Sequence, residues 1–84
     1  MNKVFIYPNP VGNELALKCS LGESGNAQLR IFNSFGQEVI SKEIHTDNGE
    51  VITTLSTEGF AAGAYSVKLI SPSGKLFEGK FLKI

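Results

Sequence analysis

The feature that most limits what this chain can fold into is its alternation. Apolar and polar residues exchange places every second position in segment after segment, and no stretch sustains the 3.6-residue period of an amphipathic helix. Each alternating run is short and ends at a cluster of Gly, Pro, Asn, Asp or Ser, the residues that reverse a chain. Such a pattern predicts an antiparallel assembly of short strands.

The runs can be placed one by one. Val4–Tyr7 is β-prone and is stopped by Pro8-Asn9-Pro10, whose two prolines remove ladder donors and force the segment to a sheet edge or out of the sheet. Glu14–Leu21 puts Leu15, Leu17, Cys19 and Leu21 on one face. After the turn cluster Gly22–Asn26, Ala27–Asn33 points Ala27, Leu29 and Ile31 inward. Asn33-Ser34-Phe35-Gly36 reads as a hairpin turn with Gly at the position of positive φ. The returning strand, Gln37–His45, is expected to face inward through Val39, with Ile40 and Ile44 in the opposite phase.

Asp47-Asn48-Gly49 carries the Asn-Gly pair of tight hairpins, and Glu50–Ser56 follows with Val51, Thr53 and Leu55 sharing a face. Thr57–Gly63 is a loop whose Phe60 is expected to plug one end of the core. Ala64–Ser71 presents Tyr65, Val67 and Leu69 on one side, and Ser71-Pro72-Ser73-Gly74 has the residue order of a type I turn. Lys75–Ile84 is the last strand. Phe77 and Phe81 occupy one of its faces and Leu76, Leu82 and Ile84 the other, so its register is open. The expected fold is all-β, an antiparallel sandwich of six or seven strands forming one domain over residues 1–84.

Composition narrows the function classes. Eight Lys+Arg against eight Asp+Glu give no net charge, which argues against a nucleic-acid module or a polybasic membrane patch. The charge is uneven: residues 1–37 sum to +1, residues 38–58 to −4 and residues 59–84 to +3. No apolar run approaches the ~20 residues of a membrane span, and no signal-peptide pattern opens the chain. Direct membrane insertion is not expected.

One Cys and one His leave no disulfide framework and no ordinary metal cluster, so no cofactor is expected. Cys19 falls in the inward phase, as a small apolar residue does. His45 has no second His or Cys beside it and reads as a solvated histidine next to a turn. Asp47, Asn48 and Glu50 are too few oxygens for a dedicated calcium site. No pair of carboxylates is arranged for acid–base work, so an enzyme is not expected. A carbohydrate-binding or adhesive sandwich is the alternative, though Trp is absent and Tyr65 lies in the inward phase.

Four features in order carry a family resemblance. Tyr7-Pro8-Asn9-Pro10-Val11 precedes the strand with Leu15 and Leu17, and Ile31-Phe32-Asn33-Ser34-Phe35-Gly36-Gln37-Glu38-Val39 comes next. Leu55-Ser56 leads to Phe60-Ala61-Ala62-Gly63-Ala64-Tyr65-Ser66-Val67, and the chain closes on Lys80-Phe81-Leu82-Lys83-Ile84. The set resembles the type A C-terminal sorting domain of the type IX (Por) secretion system of Gram-negative bacteria, across essentially the whole chain. Asn33 stands where that family often shows aspartate, and Phe60 where leucine is usual before the Gly-x-Tyr element.

The resemblance implies a small Ig-like sandwich at the C-terminus of a cargo that has crossed the inner membrane by the Sec route. An outer-membrane translocon would recognise the domain. In many cargos a sortase-type cysteine peptidase then removes it, with attachment to lipopolysaccharide or release. The cargo would be fused N-terminally and would carry the signal peptide, and it would end secreted or on the cell surface via the periplasm. Met1 then need not be the natural start.

Gly36 and Gly63 are expected to supply backbone conformations, and Tyr65 to fill the core. The expected recognition residues are the Pro8-Asn9-Pro10 edge and, on an exposed last strand, Lys80, Lys83 and Ile84. Strand addition along that edge, with lysines steering an acidic partner, is the expected mode.

Overall fold

The computed structural model describes residues 3–84 and contains seven strands: β1 (Phe5–Tyr7), β2 (Glu14–Ser20), β3 (Gly25–Asn33), β4 (Glu38–Thr46), β5 (Glu50–Ser56), β6 (Gly63–Ile70) and β7 (Leu76–Lys83). All strand pairs are antiparallel. They form a three-stranded sheet, β1-β2-β5, and a four-stranded sheet, β4-β3-β6-β7.

The inward phase of each strand makes the core. Leu15, Leu17, Cys19, Val51 and Leu55 come from the smaller sheet and meet Ala27, Leu29, Ile31, Tyr65, Val67, Leu69, Phe77 and Phe81 from the larger. Removing such side chains from water at roughly 25 cal/mol per Å² is what holds the two sheets together. Val4 and Val11 are also buried, one on either side of β1, so the N-terminal segment is part of the core rather than a tail.

β4 is the strand for which the expected phase fails. Ile31 opposes Ile40 but Phe32 opposes Glu38, so a bulge leaves Val39 without a direct partner and shifts the phase by one residue. Ile40 and Ile44 pack against the core, while Val39 is exposed. Lys42 takes the core phase between them, opposite Leu29, and stays exposed at the sheet's edge. A charge in that position discourages pairing with another chain. The bulge explains why neither phase of this strand reads as continuously apolar.

The ambiguity of β7 is resolved as well. Phe77, Gly79, Phe81 and Lys83 share the core phase, and Leu76, Leu82 and Ile84 are exposed. The turns match their residues. Gly36 N–H donates to Asn33 O and Gly74 N–H to Ser71 O, with φ of +81° and +92° at the two glycines.

Candidate recognition surface

The residues before and after β1 are stitched to the outer edge of β7. Val4 N–H donates to Glu78 O at 2.9 Å. At the other end Val11 N–H donates to Leu82 O at 2.7 Å, and Ile84 N–H donates to Val11 O at 3.0 Å. Between these, Leu82 N–H donates to Asn9 Oδ1 at 3.0 Å. Residues 3–11 therefore run alongside the last strand, with parallel bridges at Lys3–Glu78 and Val11–Lys83, while Phe5–Tyr7 pair with β2 in the other sheet.

Proline explains the switch of sheets. Pro8 and Pro10 have no N–H to give to a ladder, and both of their preceding peptide bonds are cis. Asn9, held between them, supplies through its side chain the acceptor that a neighbouring strand's carbonyl would otherwise offer. The loop that follows is pinned by Thr57, whose hydroxyl donates to Gly12 O at 2.6 Å and whose N–H donates to Asn13 O at 2.9 Å.

Two of the sequence's candidate segments thus form one surface. Pro8, Asn9 and Pro10 are exposed beside the end of β7, as are Lys80 and Ile84. Lys83 is not exposed: it retains only 8% of its accessible surface. It shares the phase of Phe77 and Phe81, so its alkyl stem is covered. Its Nζ reaches out to donate to Ile84 O at 3.1 Å. The bare last-strand edge foreseen for strand addition is also corrected, because Val4, Asn9 and Val11 already occupy it. Between these attachments, the outward backbone groups of Lys80 have no hydrogen bond among the described residues.

Where the N-terminal segment crosses β7 the strand has Gly79, which sequence reading passed over. A Cβ there would lie 2.6 Å from Val4 O and 3.1 Å from Ile6 Cδ1. The signal was legible only as a glycine inside an otherwise continuous strand, a common mark of close backbone approach.

Tyr65 lies opposite Phe81 on β7 and anchors the core beside this surface. It stacks between Phe60 and Phe81 with ring centroids 5.3 and 5.1 Å away, so Phe60 does plug the core's end. Its hydroxyl donates to Ala61 O, four residues upstream, fixing the loop that leads into β6. Gly63, at φ +148°, has open space around it, so its requirement is conformational and not steric.

The titratable groups have structural work. Burial, then the charge of Glu50, pushes the Cys19 thiol up to about 11, which leaves it protonated and unreactive at neutral pH. His45 is exposed on β4 and bonded to Asn26 Oδ1 and Asp47 Oδ1, each at 2.8 Å. Asn48 Oδ1 is engaged by Glu50 N–H at 2.9 Å, within the turn. Glu23, which the sequence did not single out, spans to the β6–β7 turn. Its carboxylate accepts from Ser73 N–H (2.8 Å), Ser73 Oγ (2.6 Å) and Ser71 Oγ (3.1 Å), and these bonds hold its pKa below the usual 4.5.

These observations define a seven-stranded Ig-like β-sandwich whose N-terminal segment laces its last strand. Its fold matches the crystal structure of a DUF3244 family protein with an immunoglobulin-like β-sandwich fold from Bacteroides vulgatus. The TM-score is 0.72 at 20% identity, over 98% of this chain and 95% of that one. The pattern defining the family described as "Secretion system C-terminal sorting domain" matches residues 5–82. The chain belongs to that family, the C-terminal sorting signal of type IX secretion, which is not a catalytic family.

It is also 35% identical to Beta-agarase A of Zobellia galactanivorans over 72 residues, 86% of this chain but 12% of the agarase. The chain thus spans about an eighth of that relative's length. Family membership implies the type IX system and an N-terminally fused cargo, destined for secretion or the cell surface.

Proposed function

We propose that residues 1–84 act as one transferable address label, and that the outer-membrane translocon reads the surface formed by Pro8, Asn9, Pro10, Lys80 and Ile84. The observation that carries this reading is the bond from Leu82 N–H to Asn9 Oδ1, which ties the Pro-Asn-Pro turn to the final strand. A translocon reading this surface engages both at once and so distinguishes a folded domain from an unfolded tail. Because the N-terminal segment occupies much of the β7 edge, recognition proceeds through side chains and the turn rather than by strand addition along the whole edge. Lys83, being buried, holds the strand's end in place, and Gly36, Gly63 and Tyr65 support the surface from within. The signal peptide belongs to the full cargo, and a sortase-type cysteine peptidase removes the label after export.

The test is a transplant. Residues 1–84 are fused to the C-terminus of a fluorescent protein with a Sec signal, in a host with the type IX machinery and in its translocon-deficient mutant. Fluorescence at the surface or in the medium of the first strain only is expected. Periplasmic retention in both strains, with the domain folded, overturns the reading and directs attention to a glycan-binding module.

A further inference from the structure

The outer face of the four-stranded sheet carries a concavity of about 520 Å³ beside the β3–β4 turn, lined by Phe32, Ser34, Gly36, Ser66, Lys68 and Lys80 among others. Register builds it. Phe32 on β3, Ser66 on β6 and Lys80 on β7 lie in one cross-strand row, so a small residue sits between two large ones. The Lys68 ammonium lies 5.6 Å from the Phe32 ring centroid.

No carboxylate lines the hollow. Two acids flank it: Glu38 lies opposite Phe32 on β4 and 3.9 Å from Arg30 Nε, and Glu78 lies opposite Lys68 on β7. Among the described residues neither Lys68 nor Lys80 forms an ion pair.

Phe35, between the lining residues Ser34 and Gly36 in sequence, is 87% exposed at the tip of the turn. The turn holding it is tied by three side-chain hydrogen bonds of Asn33. Asn33 Oδ1 accepts from Phe35 N–H at 2.9 Å and from Gln37 N–H at 3.0 Å, and Asn33 Nδ2 donates to Gln37 Oε1 at 3.0 Å. A phenyl ring held in water contributes nothing to this fold's core. Aromatic anchors on rigid scaffolds are, however, the residues that dominate interface energies.

We infer that this corner docks an extended acidic segment of a partner protein. A partner carboxylate enters between Lys68 and Lys80 over the Phe32 ring, and an apolar socket on the partner receives Phe35. Charge complementarity selects the acid. The pairing of only two ammonium groups with two phenyl rings selects a peptide over a polyanionic glycan, which would need a longer track of cations. The inference rests on the sorting reading for the partner's place in the export machinery, and it adds Phe35, Phe32 and Lys68 to the residues that machinery reads.

The experiment titrates ¹⁵N-labelled protein with a capped synthetic octapeptide alternating glutamate and leucine. Saturable amide shifts are expected at Phe32, Ser66, Lys68 and Lys80. At least tenfold weakening is expected for the Lys68→Gln/Lys80→Gln double variant, and a similar loss when glutamine replaces glutamate in the peptide. Phe35→Ala, whose side chain is outside the core, should weaken binding about fivefold with an unchanged melting temperature. Absence of shifts in the hollow, shifts indifferent to the double variant, or tighter competition by polygalacturonate each overturn the proposal. In the export assay, wild-type export with equal export of the Phe35→Ala/Lys68→Gln variant, which leaves Lys80 in place, overturns the docking role and leaves the sorting reading intact. Failure of the wild-type fusion counts against the sorting reading, and the peptide titration then decides the hollow by itself.

Discussion

Asn9 and Leu82 are 73 residues apart in sequence and joined by one hydrogen bond, from the Leu82 backbone N–H to Asn9 Oδ1 at 3.0 Å. The bond gives the Leu82 N–H an acceptor where residues 8–10 do not pair with β7 as a strand, and it is exposed. Asn9→Ala leaves the Leu82 N–H to water rather than orphaned in the core. A loss of about 0.5–1.5 kcal/mol is therefore expected. In a domain of this size each kcal/mol lowers the melting point by about 4–8 °C. Thermal unfolding measures it. Amide exchange at Leu82 should accelerate far more than at Val67, which lies in the buried centre of β6.

Gly79→Ala tests the crossing itself. The added methyl meets the Val4 carbonyl at 2.6 Å, and this neighbour is backbone, so the N-terminal segment must move or part from β7. Overpacking of this kind costs about 1–3 kcal/mol. Gly63→Ala is a control of a different kind, destabilising through its positive φ with nothing to displace. Exchange at Val4 and Val11 separates the two: it should rise sharply in Gly79→Ala and little in Gly63→Ala.

How much of this was legible in sequence follows the physics of alternation. Where one phase is uniformly apolar, as in Leu15-x-Leu17-x-Cys19 or Tyr65-x-Val67-x-Leu69, a period of two names the core side correctly. β4 defeats it because the bulge at Val39 resets the phase and the core phase includes Lys42. Lys83 defeats it differently: charge suggested exposure, while its phase, shared with Phe81, put its stem inside. The joining of Pro8-Asn9-Pro10 to β7 depends on three-dimensional closure and leaves no periodic trace. Two truncations check the β4 phase: Ile40→Ala should destabilise more than Val39→Ala, by about 1 kcal/mol or more in urea denaturation.

Glu23 sets an acid limit. Its bonds to Ser71 and Ser73 exist with the carboxylate, so its folded pKa lies below the unfolded value of 4.5. The resulting stabilisation is fully present above 4.5 and fades as pH falls through the folded value. Glu23→Gln should therefore be less stable than wild type at neutral pH, and the difference should shrink as pH falls below 4.5. Urea midpoints taken across that range measure it, and a constant difference would show that shape rather than charge is responsible.

Cys19 sets a limit at the alkaline side. Burial raises its pKa from 9.0 to about 11, the direction in which a thiol resists becoming a thiolate. The folded chain therefore holds the proton that the unfolded chain releases. This contribution to stability is complete below pH 9.0 and is lost as pH rises towards 11. The same proton governs reactivity, since the thiolate is the nucleophile. At about pH 8, iodoacetamide should alkylate Cys19 in proportion to the globally unfolded fraction, and added denaturant should raise the rate in step with that fraction. Rapid labelling of the native protein would show instead that the Lys3–Val4 segment lifts from the smaller sheet, since Lys3 O, 3.6 Å from the sulfur, is its cover.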